Sequence, residues 1–181
     1  MNDGELLFYS DVGDTFHSDL IPFVEEVIED DPCLFVVGNA INKDFTRRDC
    51  FFYMDCDEED YWDSNQLEAG MSFWRVCDKS KEIISEYLNY ACDRRIISDD
   101  PNVCGKDNFP SFREHRWDQS ILTNLAVKYG LSVAPQDIRS YIECNYDYWY
   151  ERYADGGAPL HRPIDTYLQQ NKKQLMSLYE N

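Results

Sequence analysis

The sequence is short of positive charge: 17 Lys and Arg stand against 35 Asp and Glu in 181 residues, a formal net charge of -18. A field of that sign repels phosphate backbones and anionic lipid headgroups, so a general nucleic-acid or membrane-surface binder is disfavoured unless a local basic groove overrides it. Long hydrophobic runs are missing as well, since none approaches the roughly 18 apolar residues of a membrane helix. The opening MNDGELLFYSDV has neither the basic start nor the long apolar centre of a signal peptide. The expected compartment is cytoplasmic, or Golgi should a further N-terminal portion carry an anchor. The seven cysteines, Cys33, Cys50, Cys56, Cys77, Cys92, Cys104 and Cys144, contain no CxxC pair and no His at zinc-finger spacing. Reduced and mostly buried thiols are expected.

What the chain does have is core-forming material. With 43% hydrophobic and 15% aromatic residues it can bury enough apolar surface to fold despite its charge, which excludes a disordered acidic tail. The length suits one domain. Leu6, Leu7, Phe8 and Tyr9 form an apolar run that closes on Asp and Gly, as a buried strand does, and CLFVVG from Cys33 to Gly38 reads as a second strand. Ser18 can cap a helix over residues 18–29 with Pro22 in its first turn. TRRDCFFYMDCDEEDYW predicts one or two short helices, and LEAGMSFWRV a strand with Met71 and Phe73 on one face.

Asp78 can cap a helix reaching about Cys92, whose Ile83, Ile84, Tyr87, Leu88 and Ala91 recur at the spacing of a buried stripe. The roughly twenty-residue loop ISDDPNVCGKDNFPSFREHR carries Phe109 and Phe112, which favour a loop docked on the body of the protein. WDQSILTNLAVKYG predicts a helix with Trp117, Ile121, Leu122 and Leu125 inward and Gly130 as its stop, before a short strand at 131–133. An aromatic stretch with Tyr146, Tyr148, Trp149, Tyr150 and Tyr153, a turn at Gly156-Gly157 and a polar helix over 164–179 complete the chain. Alternating strand and helix signals make α/β the expected class.

Four constellations bear on chemistry. Asp11-Val12-Gly13-Asp14 lies at the carboxyl end of the first predicted strand, where open α/β sheets bind ligands. Its two carboxylates can supply hard oxygen ligands to Mg2+ or Mn2+, which would bridge the acidic protein to a diphosphate. An ordinary Asp/Gly turn explains the same residues. The run from Asp55 to Asp60 has EF-hand-like spacing, but Asp60 stands where the turn needs Gly and Gln66 where the cage needs Glu, so a solvated acidic edge is expected. Arg113, His115 and Arg116 precede Asp118-Gln119 at a helix start. Those cations could face a sugar or phosphate, while Asp118 could simply complement the helix dipole. His161-Arg162, ahead of Pro163, reads either as a surface loop or as a late metal and phosphate contact.

The stretches TRRDCFFYMDCDEEDYWDSNQLEAGMSFWR and PNVCGKDNFPSFREHRWDQSILTNLAVKYGL resemble a poorly characterised microbial, algal and viral group of GT-A-type glycosyltransferases, over most of residues 11–131. FYSDVGD resembles the strand ending in the Asp-x-Asp motif of those enzymes, with Asp11 as its first carboxylate. The second position here is Gly13, so Asp14 would substitute. Gln66, Glu68 and Gly70 in QLEAG are similar to the segment lining donor sugar and acceptor in glycogenin-like and lipopolysaccharide galactosyltransferases. WDQSIL looks like their Asp-Gln helix start, and His161 like their late metal-binding histidine, without the glycines and lysine that follow it there.

The resemblance implies a partial GT-A-like mixed sheet over residues 1–163 followed by a polar helix over 164–181. It implies a metal-dependent transferase using Mn2+ or Mg2+, a nucleotide-sugar donor such as a UDP-sugar, and a glycan acceptor in polysaccharide synthesis. Asp11, Asp14 and His161 would hold the metal. Asp118, Gln119 and Glu68 would face the reacting sugar, and Gln66, Gly70, Arg113, His115, Arg116 and Arg162 would line the substrate. The base-binding front half of such domains has no counterpart ahead of the first strand. A fragment or shortened gene product, a partner chain that completes the sheet, or loss of donor binding would each explain that. The alternative from another class is a noncatalytic carbohydrate-binding or interaction module, with the late Tyr and Trp residues either stacking on sugars or filling the core.

Overall fold

The computed structural model describes residues 2–11, 14–16, 33–134 and 142–144. They fall into two units, the larger within Met1–Asp11 and Asp19–Ile138, the smaller within Val12–Ser18 and Arg139–Asn181. The larger holds strands β1 (Leu6–Ser10), β3 (Cys33–Ile41), β4 (Asn65–Arg75) and β5 (Ser132–Ala134) in the order β1-β4-β3-β5. β4 is antiparallel to both neighbours, and β3 pairs in parallel with β5. The smaller unit shows an antiparallel pair, β2 (Asp14–Phe16) with β6 (Ile142–Cys144), neither of which the sequence pattern announced. The class is mixed α/β, as expected.

β1 follows the pleat: Leu6, Phe8 and Ser10 are half-buried while Leu7 and Tyr9 face out. Phe8 meets its register partner Phe73 in a stacked pair with ring centroids 4.5 Å apart. β4 is the longest strand, and Met71, Ser72, Phe73 and Trp74 are all buried in succession, so the expected one-sided alternation does not hold there. Both of its edges are covered by strands.

Among the described residues the larger unit holds five α-helices: α1 (Arg48–Tyr53), α2 (Glu59–Trp62), α3 (Asp78–Ala91), α4 (Arg94–Ile97) and α5 (Trp117–Tyr129). α5 is its axis, buried without a break from Ser120 to Ala126. Leu122 and Ala126 join Leu67, Trp74, Ile83 and Leu131 in one core, while Ile121 and Leu125 join Cys50, Phe51, Met54, Cys56 and Ile96 in a second. A helix buried all round must satisfy its polar side chains internally. Ser120 donates to the Phe45 carbonyl at 2.9 Å, Thr123 receives the Leu67 N–H at 3.1 Å, and the Asn124 carboxamide oxygen receives Asn42 Nδ2 at 2.8 Å. Gly130 ends the helix in the left-handed region at φ 57°, the conformation that favours glycine.

The long loop is docked, as its phenylalanines suggested. Asp49 at the start of α1 is fully buried, and its carboxylate accepts the backbone N–H groups of Val103 and Cys104, each at 2.9 Å. Asn108 receives the Arg48 N–H at 2.9 Å and Asn102 Nδ2 at 2.8 Å. The Arg48 guanidinium lies over the Trp62 and Phe109 rings and pairs with Asp57 at 2.9 Å. Asp57 also holds Lys106 and the Trp62 indole N–H. The acidic run is therefore only in part a solvated edge: Asp55, Glu58, Glu59 and Asp60 are exposed, and Asp57 is an anchor.

Several expectations change. The N-cap of α3 is Cys77, with Asp78 in the first turn. Its buried stripe is narrower than its spacing implied, since Ile83 is buried while Ile84 and Leu88 are exposed. Trp117, expected inward, is half exposed. Among the described thiols Cys50 and Cys56 are buried, and Cys92 is exposed. The helix expected over 18–29, the aromatic stretch from Tyr146, the Gly156-Gly157 turn and the helix over 164–179 lie outside the described residues.

Candidate functional site

Asp11 follows β1 directly and continues its pairing, with its N–H donating to the Gly70 carbonyl at 2.8 Å. The neighbouring part of β4 is irregular. One step on β3, from Leu34 to Phe35, spans Ser72 to Glu68 on β4, so residues 69–71 bulge out of that ladder. Bulges of this kind bend a strand and re-aim its side chains, and they recur beside active sites. Gly70 sits in the bulge. A Cβ there would lie 2.9 Å from one Asp11 carboxylate oxygen, so the carboxylate occupies the space that the missing side chain leaves open. Tyr9 donates its hydroxyl to the other Asp11 oxygen at 2.9 Å.

Across from this strand end, Tyr87 of α3 donates its hydroxyl to the Asp118 carbonyl at 3.2 Å and ties α3 to the first turn of α5. Burial pushes the Tyr87 phenol well above its ordinary pKa, and the negative charges of Asp118, Tyr9 when ionised, and Asp11 add to that shift. Asp11 and Asp118 thus bear electrostatically on one phenol, although 107 residues separate them in sequence. Both side chains are exposed. Glu68 is half-buried at the edge of the same bulge, in register with Phe35.

The remaining expected site residues are used differently. Gln66 is buried, donates to the Phe45 carbonyl and to Thr46 and Ser120, and accepts from Gln119 Nε2 at 2.9 Å. Gln66 and Gln119 therefore join β4 to α5. His115, expected as a substrate cation, is 3% exposed: its Nδ1 receives the Arg47 N–H at 3.3 Å and its Nε2 bonds the Ile96 carbonyl at 2.8 Å. Burial lowers its pKa to about 4, so the ring is neutral at pH 7 with both nitrogens engaged. Arg116 pairs with Glu114 at 2.6 Å, and the Arg113 and Arg116 guanidinium groups both lie over the Phe45 ring. The basic cluster is a brace for the start of α5 more than a row of open cations.

Asp14 heads β2 in the smaller unit, and His161 and Arg162 lie outside the described residues. Among the described residues no three His, Cys, Asp or Glu side chains are grouped as a complete metal site. Asp11 supplies one accessible carboxylate in a cradle left by a glycine, and Mg2+ commonly takes one or two protein carboxylates with phosphate oxygens and waters filling the rest. That donor chemistry is compatible with a hard cation. Sequence reasoning missed Tyr9 and Tyr87, the two phenols around the carboxylates. Tyr87 was legible only as part of an apolar stripe.

No family model, curated protein or solved structure matches this chain.

Proposed function

We propose that this chain is a metal-dependent glycosyltransferase of GT-A type, taking a UDP-sugar or related nucleotide-sugar donor with Mn2+ or Mg2+ and a glycan acceptor. The observation that carries the reading is the meeting of Asp11 with the Gly70 bulge at the end of β1, with Asp118 bearing on the same tyrosine. The resemblance of the QLEAG and WDQSIL segments names the same places from the sequence side. A divalent ion would supply charge compensation for the departing diphosphate, which an acidic protein would otherwise repel.

In this reading Asp11 is the metal-side carboxylate, and the missing Cβ at Gly70 lets that carboxylate sit against the β4 bulge. Asp118 and Glu68 accept hydrogen bonds from sugar hydroxyls. Gln119 and Gln66 act as positioning residues that hold the start of α5 against β4, and His115 holds the segment before it.

The test is uridine-diphosphate binding by calorimetry with and without Mn2+. Binding that requires Mn2+ and is lost in Asp11→Ala is the expected result. Absence of binding, both by this chain and by a version extended with an upstream nucleotide-binding half, overturns the proposal. Glycan binding that persists in chelator, with no transfer or donor hydrolysis, would favour the noncatalytic carbohydrate-binding module instead.

A further inference from the structure

We propose that the cavity beside Trp117, between α4 and the start of α5, binds a neutral saccharide unit without metal or nucleotide. The cavity has a volume of about 460 Å3, within the ordinary range for small-ligand sites. Its walls include Trp117, Phe112, Asp99, Asn102, Asn108 and Glu114, with Arg47 and His115 also lining it. No part of it involves Asp11, Glu68 or Gly70.

Three features select the ligand chemistry. First, the indole of Trp117 is half exposed and held in place: its Nε1 donates to Asp99 at 2.9 Å, and the residue sits at φ 35°, a conformation uncommon for an aromatic residue. Such strain persists only where surrounding contacts enforce it. An immobilised indole face beside a second aromatic, Phe112, offers the flat apolar surface on which the C–H face of a pyranose packs.

Second, the walls are rich in oxygen acceptors whose charge is largely compensated. Glu114 pairs with Arg116 and Asp100 with Arg94 at 2.7 Å, Asp99 accepts the Trp117 indole N–H, and the charge of Arg47 is met by buried Asp49 behind the wall. The three wall carboxylates, Asp99, Asp100 and Glu114, keep lone pairs for hydroxyl donors, and two of them carry a paired cation. Third, Asn108 spends its carboxamide oxygen on Arg48 and Asn102, and its amide nitrogen makes no hydrogen bond among the described residues. That leaves a donor for a sugar oxygen. Aromatic faces, compensated acceptors and an amide donor around one cavity match a polyol better than an amine, a nucleobase or a phosphate. His115 at the wall is neutral with both nitrogens spent, so it adds no cation.

The site stands whether or not the chain transfers sugar, because the experiment contains neither metal nor nucleotide. Maltose, cellobiose and lactose are titrated separately into the full chain in EDTA, followed by tryptophan emission and calorimetry. Spermidine and uridine run as parallel arms. At least one disaccharide is expected to bind, with affinity falling about tenfold or more in Trp117→Ala, the scale for truncating a central aromatic anchor. Trp117→Phe, which keeps a ring, should lose less, and Asn108→Leu should also weaken binding. Thermal melts of each variant check that the fold is retained, and the Phe variant preserves the test if the Ala variant does not fold. The proposal is overturned if none of the three disaccharides binds, if binding is the same in all three variants, or if spermidine or uridine binds while the saccharides do not. Loss of Mn2+-dependent uridine-diphosphate binding in the earlier experiment leaves these outcomes untouched.

Discussion

Asp49 and Asp11 are both aspartates at the boundary of a regular element, and the protein treats them in opposite ways. Asp49 is fully buried, its two oxygens taken by the amides of Val103 and Cys104 and by Arg47, so its charge is spent on holding a loop. Asp11 is exposed, touched by one tyrosine hydroxyl and fitted against a glycine. A carboxylate whose acceptor positions are filled by buried donors contributes to the fold and has nothing left for a ligand. One with open lone pairs at a strand end contributes little to stability and retains the capacity to bind. The same contrast separates Gln66 and His115 from Asp118.

The comparison breaks most visibly at Asp49. Asp49→Ala would leave two loop amides and the Arg47 guanidinium without their partner, and should cost about 3–5 kcal/mol. A denaturant titration reads this as a large fall in midpoint, and a cost below about 1 kcal/mol would mean the loop is held by its aromatic contacts instead.

His115 gives a smaller and pH-dependent effect. Its pKa in the fold is about 4 against an ordinary 6.5, with burial as the leading cause, so the unfolded chain binds the extra proton first as pH falls. The sign follows: the contribution is fully present above pH 6.5, declines as pH falls toward 4, and changes no further below the folded value. Over that window it amounts to about 3 kcal/mol at most. Melting temperatures measured across the window should show this slope, and His115→Gln should flatten it. An unchanged slope in the variant would assign the acid sensitivity to other groups.

Gly70→Ala sharpens the other side of the comparison. The new Cβ would meet an Asp11 oxygen at 2.9 Å, and because Asp11 is exposed its side chain can turn away. Stability should change by less than about 1 kcal/mol. Mn2+-dependent uridine-diphosphate affinity should nevertheless fall by about tenfold or more if one charge-assisted contact is lost. An unaltered affinity would detach the Gly70 cradle from donor binding.

Much of the architecture is legible in the residues themselves. The runs at Leu6–Ser10, Cys33–Ile41 and Asn65–Arg75 and the helix Trp117–Tyr129 carry periodic or continuous apolar patterns, and Gly130 marks a stop that glycine makes easily. The docked loop was legible because a polar segment carrying Phe109 and Phe112 gains by burying them. Position along the chain also placed Asp11 at the end of a strand and Asp118 in the first turn of a helix.

Other features had no local signal. Periodicity placed Trp117 inward, yet a hydrogen bond to Asp99, 18 residues earlier, holds its indole at the surface. The stripe on α3 was drawn too wide because spacing identifies a face without saying how much of it a neighbour covers. Asp49 looked like any polar residue, and His115 and Gln66 read as substrate contacts, where the structure buries all three. Their farthest partners lie 55, 68 and 54 positions away, at Cys104, Arg47 and Ser120.

From its residues alone, this chain dictated an α/β class, an acidic surface and the placement of its principal strands and helices, because those depend on composition and on neighbours a few positions apart. Which carboxylates would be consumed in the interior and which left at the rim, and that an indole and a set of amides would enclose a cavity, came from chain packing. Burial and long-range hydrogen bonding change what a side chain can do, and neither is encoded by its immediate sequence neighbours.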